Sequence, residues 1–290
     1  MQNEITSRIA VALDFELVDA EAARATENPD ALDYILRGRA ARAKPPSRET
    51  RAEAVRMFER ALELDPQSVE AQGWLAITLI ALVMDNMSDL PTADLVRAEA
   101  LAEQTLAASP RNLLAHRVKG QVLRAQHKYD EAIAEYEKLL ALNRNWVVAY
   151  HHIAQCKLYT GSIEEVIPLV EQAILLSPRD PLMGLFYFRI GQAHLLQSRT
   201  DEAITWLEKA CNHNPAFAFI RAQLAAAYAL NGETSRAAAE LAEARRLAVD
   251  DRFSSIARMR AVGYWGVPKI RALFEAIYFA GLRLAGMPEE

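Results

Sequence analysis

Apolar and small residues recur three and four apart through Leu113–Leu123 and again through Tyr129–Leu140, with a short polar joint at 126–128 between them. That spacing predicts two amphipathic helices folded into a hairpin. One hairpin leaves an apolar stripe wet, so a neighbouring copy has to cover it. Copies are present. Asp130-Glu-Ala-Ile133 returns as Asp201-Glu-Ala-Ile204 and more loosely as Glu164-Glu-Val-Ile167. Small residues open the second helices at Ala54, Ala98, Ala132, Val166, Ala203 and Ala237, and Phe58, Ala102, Tyr136, Val170, Leu207 and Leu241 follow four positions later. Pro66, Pro110, Pro178 and Pro215 close four units, where proline ends one helix and admits the next. First helices carry Gly38, Gly120 and Gly191, or Ala76, Ala154 and Ala225, at the matching place. Glycine weakens a helix, so its reuse there predicts close helix–helix approach.

In aggregate these positions resemble the tetratricopeptide repeat over roughly residues 30–250. The bulky residue that opens the motif is Tyr34, Tyr150 and Tyr187 in three copies, and Gln72, His116 and Arg221 in the others. The resemblance implies an all-α fold, a right-handed α-solenoid of about six helix-turn-helix repeats with a C-terminal capping helix pair. The expected division is an N-terminal helix and linker over 1–29, repeats over 30–250 and capping helices over 251–290.

Outside the repeats, Ile5, Ile9, Ala12 and Leu13 place one apolar stripe on a helix over 1–19, which reads as the last helix of a preceding domain. The first joint is stretched by Pro45-Pro46, after which Ser47 with Thr50 can cap the second helix. Repeat two carries an insertion over 84–91, expected as a long loop, and three extra residues fall near Pro181–Gly184. After Asp250 the pattern loosens into a helix over 253–262, a turn at 263–266 and a last helix over 268–285, with Pro268 in its first turn.

Composition narrows the function classes. The formal charge of −5 argues against a protein that coats nucleic acid. Cys156 and Cys211, the only two cysteines, form no paired framework, which reads as a reducing, cytoplasmic setting. The most apolar long stretch, 270–287, is broken by Arg271, Glu275 and Arg283, so no membrane span is expected. Phosphate loops, nucleophile elbows and zinc-finger spacings are absent, and neither catalysis nor a cofactor is expected. His152 and Cys156 share a helical face, but without further ligands nearby in sequence they read as groove or core residues and not as a metal site. The acidic pairs at 130–131, 164–165 and 201–202 sit where helices begin, a position that favours carboxylates on dipole grounds.

The functional signal lies on the faces of the first helices. It consists of Arg117, Gln121 and Arg124 in repeat three, and His151, His152, Gln155 and Tyr159 in repeat four. Phe188, Arg189 and Gln192 follow in repeat five, and Phe219 and Gln223 in repeat six. Gln121, Gln155 and Gln192 are equivalent and suit the backbone of an extended peptide, while the arginines suit carboxylates. The expected partner is a protein or peptide bearing acidic groups, with no nucleic acid and no membrane. A homodimer built through the first helix is the rival arrangement.

The flanks carry a second resemblance. Gln2–Ala10, Ala22–Tyr34 and Tyr278–Glu290 look like the segments around the C-terminal repeats of bacterial class III adenylate/guanylate cyclase-like regulatory proteins, whose relatives include transcription regulators with a separate DNA-binding domain. It implies that the chain is the C-terminal part of a longer protein, and it carries over no catalytic residue.

Overall fold

The computed structural model describes residues 30–248, 250–263 and 265–290, so the helix expected over 1–19 lies outside the described residues. Described residues are helical or connecting, with no strand among them. Helices α1 (Ala31–Ala43), α2 (Arg48–Leu64), α3 (Val69–Met84), α4 (Pro91–Ala108), α5 (Leu113–Ala125) and α6 (Tyr129–Leu142) come first. They are followed by α7 (Val147–Thr160), α8 (Val166–Leu176), α9 (Met183–Leu196), α10 (Thr200–His213), α11 (Ala218–Leu230) and α12 (Thr234–Leu247). Read in pairs, these are the six first-and-second-helix units of the repeat pattern. Beyond them lie α13 (Ile256–Val262) and a last helix made of α14 (Pro268–Leu273), a π-helical stretch (Phe274–Phe279) and α15 (Ala280–Leu284). The chain divides between Ala149 and Tyr150 into two compact units.

In the first unit, α1 packs on α2, α3 on α4 and α5 on α6, and the first helices α1, α3 and α5 also touch in a row. The small positions set this spacing. A β-carbon added at Gly38 would lie 2.5 Å from the Phe58 ring, and one at Gly120 would lie 2.5 Å from the Tyr136 ring. Glycine on the first helix is thus matched to an aromatic on the second, and both rings are fully buried. The apolar face of the hairpin closes on them.

The joints repeat as well. Asn86, His127 and Ser198 adopt φ of 58°, 62° and 58°, and Gly161 and Gly232 hold the equivalent places at 106° and 80°. In each joint the following amide reaches a carbonyl five residues back. Examples are Lys128 N–H to Leu123 O at 2.9 Å and Glu233 N–H to Tyr228 O at 2.8 Å. This left-handed stop satisfies carbonyls that the helix end would leave bare. The first joint differs as its sequence predicts. Ser47 Oγ accepts from the Thr50 amide at 3.2 Å, and Thr50 Oγ1 accepts from the Ser47 amide at 3.0 Å, a reciprocal cap.

The insertion in repeat two is not a long loop. Helices α3 and α4 contain 16 and 18 residues, against 13 and 14 in α5 and α6, so most of the excess extends helix. Only residues 85–90 connect them. The apolar run through Leu82 and Val83 makes further helical turns the favourable use of the added residues.

The three non-aromatic openers are explained by hydrogen bonds. Gln72 Nε2 donates to the Pro66 carbonyl at 2.9 Å, His116 Nε2 lies 2.9 Å from the Pro110 carbonyl, and Arg221 Nε donates to the Pro215 carbonyl at 3.2 Å. His116 and Arg221 add carboxylate partners on the following helix, Glu135 at 2.9 Å and Glu240 at 2.8 Å. These three polar openers therefore clamp the turn that precedes their own repeat.

In the second unit α9 packs on α10 and α11 on α12, and the π stretch and α15 lie against the first helices α9 and α11. A β-carbon on Gly281 would lie 2.6 Å from the Ala226 carbonyl oxygen, the mark of two helices in backbone contact. Phe274, Tyr278 and Leu282 are completely buried. The Val267 amide donates to the Tyr159 carbonyl at 3.0 Å, which holds the loop before α14 against the end of α7.

Candidate functional site

The first-helix residues singled out from the sequence fall into two environments. In the second unit most are covered. The Phe219 ring lies 6.2 Å from Trp265, stacked, and 6.3 Å from Tyr278, while Phe188 meets Phe219 edge-on at 6.0 Å. Gln223, one helical turn beyond Phe219, is 0% exposed, and neither its amide nitrogen nor its amide oxygen has a hydrogen-bond partner among the described residues. Arg189 is buried and donates to Gln192, itself buried, with the guanidinium 5.4 Å from the Phe188 ring. His151 lies 5.4 Å from His152 and 5.4 Å from Phe186, both histidines being buried. Gln155 and Tyr159 remain half-buried. At Phe219 the chain's own C-terminal segment, through Trp265 and Tyr278, occupies part of the face that an outside peptide would take.

Among the described residues, no three His, Cys, Asp or Glu side chains are placed to hold a metal ion. Both cysteines are free and buried, and burial pushes the Cys211 thiol up to about 12. A thiol so raised is a poor nucleophile.

The first unit is different. Trp74 of α3 packs against the apolar core and remains half-buried. Three guanidinium carbons surround its ring, Arg39 at 5.3 Å and Arg42 at 5.7 Å from α1, and Arg117 at 5.4 Å from α5. The indole therefore serves as a platform for cations arriving from the helices on both sides. Arg51 of α2 lies behind them, 8% exposed, and donates to the Arg42 carbonyl at 3.3 Å. Arg42 also donates to Thr78 Oγ1 at 3.0 Å. Further along α5, Arg124 donates to Gln121, and both are buried.

Electrostatically this is a crowd of like charges. Burial, then Arg51 and Arg117, bring Arg42 down to about 9, against which Asp85 acts. Burial also brings Arg117 down to about 10, with Tyr136 opposing it and Arg124 and Arg39 adding to it. Arg51 is lowered by burial, with Asp85 again opposing. All remain cations at neutral pH.

Sequence reasoning reached Arg117, Gln121 and Arg124 but missed Arg39, Arg42, Arg51 and Trp74. The register held the signal for three of them. Arg39 follows Gly38 as Gln121 follows Gly120, Arg42 corresponds to Arg124, and Trp74 precedes Ala76 as Gln223 precedes Ala225.

The repeat class follows from this architecture, and comparison with known proteins agrees. Tetratricopeptide-repeat family profiles match residues 114–146 and 157–219, so the chain carries tetratricopeptide repeats. Among solved structures, the tetratricopeptide protein TTC0263 of Thermus thermophilus is similar over 68% of this chain and 98% of its own, at 21% identity and a TM-score of 0.54. A chain of the APC/C hetero-tetramer Cut9-Hcn1 gives a TM-score of 0.65 at 15% identity, over 89% of this chain and 45% of that one. Human IFIT1, solved as a dimer with m7Gppp-AAAA, gives 0.62 at 20% identity, over 77% and 50%. This chain thus spans half or less of the last two proteins. Similarity at this level establishes the all-α tetratricopeptide fold. No curated protein sequence matches the chain. No helix among the described residues is long and apolar enough to cross a membrane.

Proposed function

We propose that the chain is a protein-binding scaffold whose receptor surface is the first-helix face of the first unit, centred on Trp74. One observation carries this reading: three arginines from two helices converge on a single half-buried indole. Clustered Trp and Arg side chains in a partly desolvated setting have the composition that dominates protein-binding energetics. Repeats of this class present such faces to partner segments. Residues 30–250 are the repeats in this reading, with the receptor surface in the first unit, and 251–290 cap the second unit.

A photo-crosslinking side chain at position 74 or 117 tests the proposal against one at Glu137, on the exposed face of α6. Specific adducts from the source cell at 74 and 117, and none at 137, are expected. Equal capture at all three positions, or none at 74 and 117, would remove it.

The flank resemblance supports a further proposal, that the scaffold is the regulatory arm of a nucleotide-cyclase-like signalling protein. An attached activity that ignores Trp74→Ala and Arg117→Ala would rule this out. The alternative is a self-association module of a transcription regulator. It predicts a mass that rises with concentration in light scattering and falls on deletion of residues 1–19.

A further inference from the structure

The arginines around Trp74 are held at an energetic disadvantage. Among the described residues Arg42, Arg51 and Arg117 form no ion pair, and the Nε atoms of Arg51 and Arg117 are buried with no hydrogen-bond partner. The carboxylate of Glu70 stands 3.7 Å from Arg39. Elsewhere in this protein carboxylates meet arginines more closely, as at Arg221–Glu240 with 2.8 Å. A fold selected for stability alone would dilute such a cluster or pair it, because buried like charges repel and each lacks its hydration.

Trp74 does not neutralise them, since an aromatic face attracts cations while leaving their formal charge in place. Three guanidinium groups already lie 5.3–5.7 Å from the indole centroid, so a stacking nucleobase would have to compete with them. Asp85 offsets Arg42 and Arg51 only in part, and no described carboxylate forms an ion pair with Arg42, Arg51 or Arg117, so the site is short of negative charge delivered along guanidinium edges. The shortfall spans both flanks of Trp74, because Arg42 and Arg117 arrive from different helices.

We infer that this cluster is a binding site for an acidic segment of a protein partner, with carboxylate side chains seated at Arg42 and Arg117 on the two flanks of Trp74. The inference rests on the scaffold reading above and names its ligand chemistry. It also makes a demand that a structural role would not. Replacing Arg42 or Arg117 by methionine keeps much of the side-chain volume and removes a repelled charge, so it should raise thermal stability while weakening binding. An arginine kept for structure would lower stability when replaced.

The test uses the full chain and three probes: a short glutamate-rich peptide, its glutamine counterpart, and a single-stranded oligonucleotide of equal charge. Titration calorimetry should show the glutamate peptide binding with an affinity that falls as salt rises, and the glutamine peptide not binding. Arg42→Met and Arg117→Met should each weaken the acidic peptide roughly tenfold or more while raising the melting temperature. Arg111→Met, at an exposed position on the neighbouring turn, should change neither. The inference falls if both methionine variants bind the peptide as the parent does, if they melt lower, or if the oligonucleotide binds more tightly than the peptide through these arginines. If the acidic peptide fails while crosslinking at positions 74 and 117 persists, the ligand chemistry is wrong and the scaffold reading stands.

Discussion

A joint residue in left-handed backbone isolates one energetic effect better than any core position. Gly232 sits at φ 80° with open space where a β-carbon would go, so Gly232→Ala meets no neighbour and reports the backbone alone. Ser198 holds the equivalent place at φ 58° on an exposed turn. For an L-residue this conformation is unfavourable by about 1 kcal/mol, partly offset by the unfolded-state freedom that glycine adds. Gly232→Ala should therefore lose about 1 kcal/mol in a urea unfolding series, and Ser198→Gly should gain roughly half that or more. Opposite signs at two equivalent joints would confirm that the turn geometry sets the effect. Equal signs would point to the unfolded state instead.

Among the helices, the last one is held by contact too close to adjust. Its Gly281 faces the Ala226 carbonyl, and backbone cannot give way as the tip of a flexible side chain can. Gly281→Ala should destabilise by roughly 1–3 kcal/mol and expose Phe219 and Tyr278, read as tryptophan fluorescence from the neighbouring Trp265. Unchanged stability would mean that the helix is seated mainly by its aromatic side chains. The same helix shows where sequence reasoning reached its limit. The hairpins were legible because each leaves a periodic stripe and a small residue facing a large one, as at Gly120 and Tyr136. Local spacing also placed the Ser47 cap and the start of α6 at Tyr129. It could not show that Phe219 and Gln223 are covered, because their cover lies more than forty residues on, in a segment whose docking depends on tertiary shape alone. Trp74 went unnoticed for a related reason. In the apolar run of α3 it reads as core, and only the arginines of α1 and α5 make it a platform.

At the scale of the chain, the C-terminus is fastened by charge at its surface as well as by burial. Arg260 bonds Glu275 at 2.6 Å and Glu289 at 2.8 Å, and Arg283 bonds the same two carboxylates, each at 2.8 Å. Behind this network the Pro288 and Glu289 carbonyls accept from the Ile256 and Ala257 amides at 2.9 Å, which completes the first turn of α13. The hydrogen bonds from Arg283 and then Arg260 hold the Glu289 carboxyl down at about 2, from an ordinary 4.5. A folded value below the unfolded one means that the group's contribution is fully present above 4.5 and is lost as pH falls toward 2. Because these side chains are exposed, the network should also weaken with salt at neutral pH, and it is worth little to global stability. The expected result is therefore local. In hydrogen exchange, protection of the Ile256 and Ala257 amides should drop across that pH window while amides in the middle of α9 keep theirs. Glu289→Gln should reproduce the drop at neutral pH. Protection that ignores both changes would show that buried Leu282 and Met287 hold the tail unaided, and that the four charges merely line its edge.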